Sequence, residues 1–100
     1  MGDLEPGLSL RLFVAGNSPD SALAVANLEA LFPKGGSTPT RIEIVDVQRE
    51  PARAARDQIV VTPTLLKLSP SPSLRILGNL KNRQALLRLL GVEQTRPTAK

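Results

Sequence analysis

One hundred residues, 41% of them hydrophobic, suffice for one domain with one core; with Phe13 and Phe32 as its only aromatics, that core must be aliphatic. The absence of Cys and His excludes disulfides, thiolate nucleophiles, Cys/His zinc sites and the side chain most often used as a general base at neutral pH. The formal charge of +4 is unevenly placed: residues 1–57 carry six Lys/Arg against eight Asp/Glu, whereas residues 58–100 carry seven Lys/Arg and a single carboxylate, Glu93.

Leu8, Leu10, Leu12 and Val14 alternate with Ser9, Arg11 and Phe13, the period-two pattern of a strand. Ala15-Gly16-Asn17 forms a turn. Ser18-Pro19-Asp20 then opens a helix, with a capping hydroxyl, a proline at the first helical position and a carboxylate at the positive end of the dipole. Ala24, Leu28, Leu31 and Phe32 follow at helical spacing until Pro33 and Gly35-Gly36 stop the helix. Residues 41–47 form a second strand, so the first three elements make a βαβ unit with parallel strands.

Glu50-Pro51 opens a short helix through Arg56, with Ala52, Ala54 and Ala55 as helix formers. Residues 64–68 read as a third strand and 73–77 as a fourth, joined by the turn Ser69-Pro70-Ser71-Pro72, a link short enough to make the two antiparallel. A last helix is expected from about Leu80 to Leu90, closed by Gly91. The expected fold class is α/β, a single domain ordered βαβαββα as in thioredoxin, over residues 8–92, with flexible segments at 1–7 and 93–100. Two runs conflict with this scheme: Ile59-Val60-Val61 is β-branched yet falls in a connection, and 86–92 is apolar enough for a strand.

The basic C-terminal half reads either as a solvated basic face or as a surface that suits an acidic protein partner. It offers no stacking aromatics for single-stranded nucleic acid, and no stretch approaches the ~20 apolar residues of a membrane span. Met1 to Gly7 carries Asp3 and Glu5 and lacks an apolar signal region, so a cytoplasmic chain without nucleic-acid, membrane or cofactor partners is expected. In thioredoxins the redox Cys pair lies where the first strand meets the first helix; Gly16 to Ser21 stand there instead, and without thiols dithiol exchange is impossible. Thr62-Pro63-Thr64 stands where thioredoxin-like proteins keep a threonine-proline pair. It reads either as a cis-proline loop positioning a bound segment or as a plain turn. Asp46 at a strand end reads as a hydrogen-bonded structural residue, and Gly35-Gly36 lacks the spacing of a phosphate loop. Arg49, Arg53 and Arg56 form either a solvated helix face or a contact face. Arg75, Lys81, Arg83 and Arg88 offer planar forks and point charges to carboxylates.

Four segments in order resemble the KaiB family of circadian-clock proteins: residues 12–21 (Leu-Phe-Val-Ala-Gly-Asn-Ser-Pro-Asp-Ser), Ile44-Val45-Asp46-Val47 with the following Pro51, residues 57–67 around Thr62-Pro63-Thr64, and residues 75–83. The resemblance implies a non-enzymatic protein that binds the ring-shaped ATPase and kinase KaiC, with Gln58, Lys67, Arg75 and Arg83 as exposed contact residues and Pro63 in a structural loop. It also implies a homo-oligomeric ground state, dimer or tetramer, ordered βαββααβ, and a switch to the thioredoxin-like form that binds KaiC. Departures from the family pattern are Gln58, Asn79, Ser71 and a basic rather than acidic tail; they count against KaiA as a partner. The alternatives are a sensory domain related to KaiC-linked histidine kinases and a stress-response binding module without a circadian role.

Overall fold

The computed structural model describes residues 7–33 and 39–91. Its elements are β1 (Leu8–Val14), α1 (Pro19–Leu31), β2 (Thr40–Asp46), α2 (Pro51–Arg56), β3 (Thr64–Ser69), β4 (Leu74–Leu77) and α3 (Arg83–Leu90). This is the βαβαββα order, not βαββααβ. Of the two expected end segments only Gly7 is described; the rest of 1–7, all of 93–100 and Val92 lie outside the described residues.

The four strands form one sheet in the order β2-β1-β3-β4. β1 pairs with β2 in parallel, from Leu8 opposite Thr40 to Val14 opposite Asp46. β3 runs antiparallel to β1 and to β4, with Leu12 opposite Leu65 and Leu66 opposite Arg75. The central strand therefore has backbone partners on both sides, and its side-chain alternation separates two unequal layers. Leu8, Leu10, Leu12 and Val14 are buried on one face with Leu65, Ala24 and Leu28 of α1, and Leu86 and Leu90 of α3. On the other face Phe13 packs with Val45 and Leu66, flanked by Val47, Ala54 of α2 and Ile59. The first layer holds most of the apolar burial, at about 1.5–3 kcal/mol per fully buried Leu or Val.

Local signals explain the helix limits. Ser18 Oγ accepts from the Ser21 amide at 3.2 Å, with Pro19 and Asp20 in the first turn. Asn82 Oδ1 accepts from the Ala85 amide at 3.0 Å, and Gly91 closes α3 in the left-handed conformation at φ +77. The Asn82 cap corrects the expected start of the last helix: Leu80 lies before α3, at φ +65, and is buried from a loop. That loop is tied to α1, since Asn27 Nδ2 donates to the Asn79 carbonyl at 2.8 Å. Of the two conflicting runs, 86–90 is helical. Residues 59–61 belong to no strand; Ile59 packs beneath α2 while Val60 is 90% exposed.

The packing of α3 makes a sharp prediction. Leu90 is 1% exposed and Leu89 is 50% exposed. Leu90→Ala should cost about 2–5 kcal/mol in urea unfolding, and Leu89→Ala should stay within about 0.5 kcal/mol of the parent. Equal losses would mean that α3 does not present this face to the sheet.

Candidate protein-interaction site

The turn between β1 and α1 spends its polar groups on its own backbone. Ser21, buried, accepts from the Ala15 amide through Oγ at 3.0 Å. Asp46 Oδ1 accepts from the Gly16 amide at 3.1 Å and from the Gln48 amide at 2.9 Å. Gly16 has φ +53, a conformation that costs a side-chain-bearing residue about 1–2 kcal/mol. Asp46 is thus the structural tie expected of it, joining the ends of the two parallel strands. Among the described residues no group of three or more carboxylates or other ligand side chains could hold a metal.

The α2 layer is held by charge as much as by apolar contact. Arg11 points from β1 into this layer and donates from Nε to Glu43 Oε1 at 2.8 Å and from Nη1 to Asp57 Oδ2 at 2.9 Å. Glu43, opposite Arg11 in the β1–β2 register, uses its second oxygen for Arg53 Nη2 of α2 at 2.6 Å. Arg53 also approaches Glu50 Oε1 at 3.6 Å, one helical turn back. Hydrogen bonds from Arg11 and then from Arg53 hold the Glu43 carboxyl below its ordinary value. The groups are partly open to solvent, so each pair alone contributes little and the network acts together.

Next to this network the chain turns. Gln58 takes φ +58, and Arg75 of β4 reaches across to hold the turn, donating from Nη2 to the Asp57 carbonyl at 2.9 Å and from Nη1 to the Gln58 carbonyl at 3.2 Å. Beyond the turn Thr62–Pro63 is a cis peptide, and Thr64 Oγ1 donates back to the Val61 carbonyl at 2.7 Å. Between residues 58–61 and β4 lies an open groove of about 510 Å³, lined by Gln58, Val60, Val61, Thr64, Arg75 and Leu77.

The four residues expected as exposed contact residues fall in different places. Gln58 and Arg75 meet directly, and buried Pro63 lies five residues after Gln58. Arg83 lies in the first turn of α3, exposed but in the opposite layer. Lys67 is 5% exposed and corrects the expectation outright. It lies opposite Leu10 and Leu74, on the face of β3 that Leu65 shares with the main core, so the sheet's alternation turns it inward. The sequence reading passed over Arg11, Glu43 and Asp57. An Arg inside an apolar strand and a Glu inside the strand parallel to it were the available signal. It also missed the groove side chains Val60, Val61 and Leu77, although the unplaced β-branched run at 59–61 pointed to them.

Comparison with known proteins agrees with this architecture. The family model described as the KaiB domain matches residues 11–92. The circadian clock oscillator protein KaiB of Thermostichus vulcanus is 38% identical over 87 residues, covering 87% of this chain and 81% of that protein. The circadian clock protein KaiB3 of a Synechocystis species is 40% identical over 78 residues, covering 78% and 76%. Among solved structures, the N-terminal domain of Synechococcus elongatus SasA aligns with a TM-score of 0.70 at 25% identity, covering 92% of this chain and 88% of that one. Chloroplastic thioredoxin z aligns at 0.73 and 20% identity, covering 87% and 78%, so the fold is thioredoxin-like.

Two predictions follow from the charged layer. Glu43 ionises more readily folded than unfolded. Its contribution is therefore complete above the unfolded value near 4.5 and is lost as pH falls through the lower folded value. Urea unfolding from about pH 6 to about pH 3 should show a smaller loss of stability for Glu43→Gln than for the parent; parallel curves would remove Glu43 from the account. Arg75→Lys replaces a planar fork by a point charge that cannot span both carbonyls. The Gln58 and Ile59 amides should then exchange about fivefold faster, as expected for one net hydrogen bond of about 1 kcal/mol, with the α1 amides unchanged.

Proposed function

The chain belongs to the KaiB family, and from that premise we propose that it is a non-catalytic, clock-type regulatory protein that docks on a KaiC-like ATPase and kinase and modulates its phosphorylation or ATPase state. The observation that carries the reading is the family match across residues 11–92, nearly the whole described domain. Supporting it, Gln58 and Arg75, two of the residues that the family resemblance assigns to docking, converge on one groove. The chain has no Cys, His or Tyr with which to run thiol or imidazole chemistry, and its candidate corner uses Ser18, Ser21 and Asp46 to cap backbone amides.

The proposal includes a homo-oligomeric ground state in which the C-terminal half repacks as βαββααβ, a cytoplasmic location, and residues 8–92 as the functional unit. The repacking is supported by Ile59-Val60-Val61, a strand-type run held in no strand. A minor docking-competent state would weaken apparent affinity by its population. No helix among the described residues is long and apolar enough to cross a membrane. The second reading, a sensory domain of the kind attached to KaiC-linked histidine kinases, is favoured by the alignment with the SasA N-terminal domain.

Size-exclusion chromatography with the KaiC-type ATPase of the same organism and ATP, followed over hours, tests the proposal. A slow shift into a large complex is expected; no shift beside an active hexamer would overturn it. Arg75→Glu and Arg83→Glu should each weaken the complex about tenfold, whereas Lys67→Met, at a buried position, should leave it intact. Loss of binding through Lys67→Met in a folded variant would restore that residue to the surface.

A further inference from the structure

We infer that the open edge of β4 takes an extended segment of a partner protein by strand addition, and that the segment must carry a carboxylate and an apolar side chain two residues apart.

The sheet is wider than its cover on the α2 side. A helix about 10 Å across overlies roughly two strands spaced about 4.8 Å apart, and α2 packs no farther than Leu66 of β3. The β4 residues on that face, Arg75 and Leu77, are exposed, Leu77 at 60%. Val60 and Val61 rise beside them to form the far wall of the groove, so apolar surface stands open next to an open strand edge.

The backbone agrees with the side chains. Among the described residues β4 has β3 as its one strand neighbour. The Gly78 amide donates inward to the Pro63 carbonyl at 3.0 Å. Antiparallel alternation then turns the N–H and C=O groups of Ile76 and Leu74 toward β3, and those of Arg75 and Leu77 outward. The two residues that offer backbone groups to an added strand are the two whose side chains line the groove. A strand seated there would place one residue against Leu77 and its valine wall, and another, two positions away, against Arg75. The Arg75 guanidinium gives two N–H groups to the Asp57 and Gln58 carbonyls and keeps others for a carboxylate.

Charge selects the partner. Arg75 is the one charged side chain among the residues lining the groove, and residues 58–91 contain no carboxylate to offset it. A second copy meeting this edge with its own β4 would set like charges together, which opposes self-pairing. An acidic, apolar segment is the complementary occupant. The inference rests on the edge and the groove, and the probe below contains no part of a KaiC-type ATPase. If the chain fails to join such an ATPase, the docking proposal falls and this result still stands or falls by itself.

The test is an NMR titration of the full chain with a capped heptapeptide, Thr-Val-Thr-Glu-Thr-Val-Thr, which presents Glu and Val two apart on one face in either strand direction. Shifts at Val60, Val61 and residues 74–77 are expected, with slowed exchange of the Arg75 and Leu77 amides. Binding should weaken about tenfold or more when Lys replaces the peptide Glu, and likewise in the variant Leu77→Lys, whose side chain is exposed and outside the core. The inference is overturned by no shifts at millimolar peptide, by equal binding of the Lys peptide, or by shifts along β2 instead. It is also overturned if sedimentation shows the chain self-associating through a contact that Leu77→Lys abolishes, because the edge would then belong to a second copy.

Discussion

Arg11 sits in the middle of the central strand, and the layer formed by α2 is organised around its guanidinium. Strand alternation sends Leu8, Leu10, Leu12 and Val14 to one face and Arg11 and Phe13 to the other. A charge so placed must be paired. Glu43 answers it from β2, and Asp57 answers it from the turn after α2. Arg53 completes the ring by binding the other oxygen of Glu43. This network, together with the apolar contacts of Ala54 and Ile59, ties α2 and the turn at Gln58 to the sheet. That turn in turn positions the carbonyls that Arg75 holds and the valine wall beyond them.

This dependence explains why the surface beside β4 is shaped as it is. α2 is short and presents mainly Ala54 to the sheet, so it covers little area. Ile59 supplies the remaining apolar contact, and Val60 and Val61 emerge into solvent immediately afterwards. A single helix about 10 Å across covers about two strands, which leaves β4 uncovered on this face. The groove is what remains when a charge network rather than a broad apolar face fixes the second layer.

The strands and helices were legible in the sequence almost to the residue, because alternation, capping groups and proline or glycine stops coincide. Leu80 was misplaced because an apolar residue just before a helix carries no mark separating helix from loop; the deciding group was the Asn82 side chain. Lys67 was misread for a related reason. A charged residue between Leu66 and Leu68 looks like the solvent side of a strand, but β3 lies inside the sheet, with a layer on each face. Arg75 was picked out as a contact residue; what the structure shows is a clamp on two carbonyls. Such long-range pairings, like that of Arg11 with Asp57, have no local sequence signature, since they depend on the register of strands far apart in the chain.

The two sides of the sheet answer to different solvent variables. The layer of α1 and α3 is aliphatic and follows temperature and cosolvents that alter apolar hydration. The α2 layer rests on partly exposed ion pairs, whose reach at physiological ionic strength is a Debye length of about 8 Å. Added salt should loosen α2 and the turn behind it while leaving the opposite layer firm, and so make ionic strength a control on the shape of one face alone.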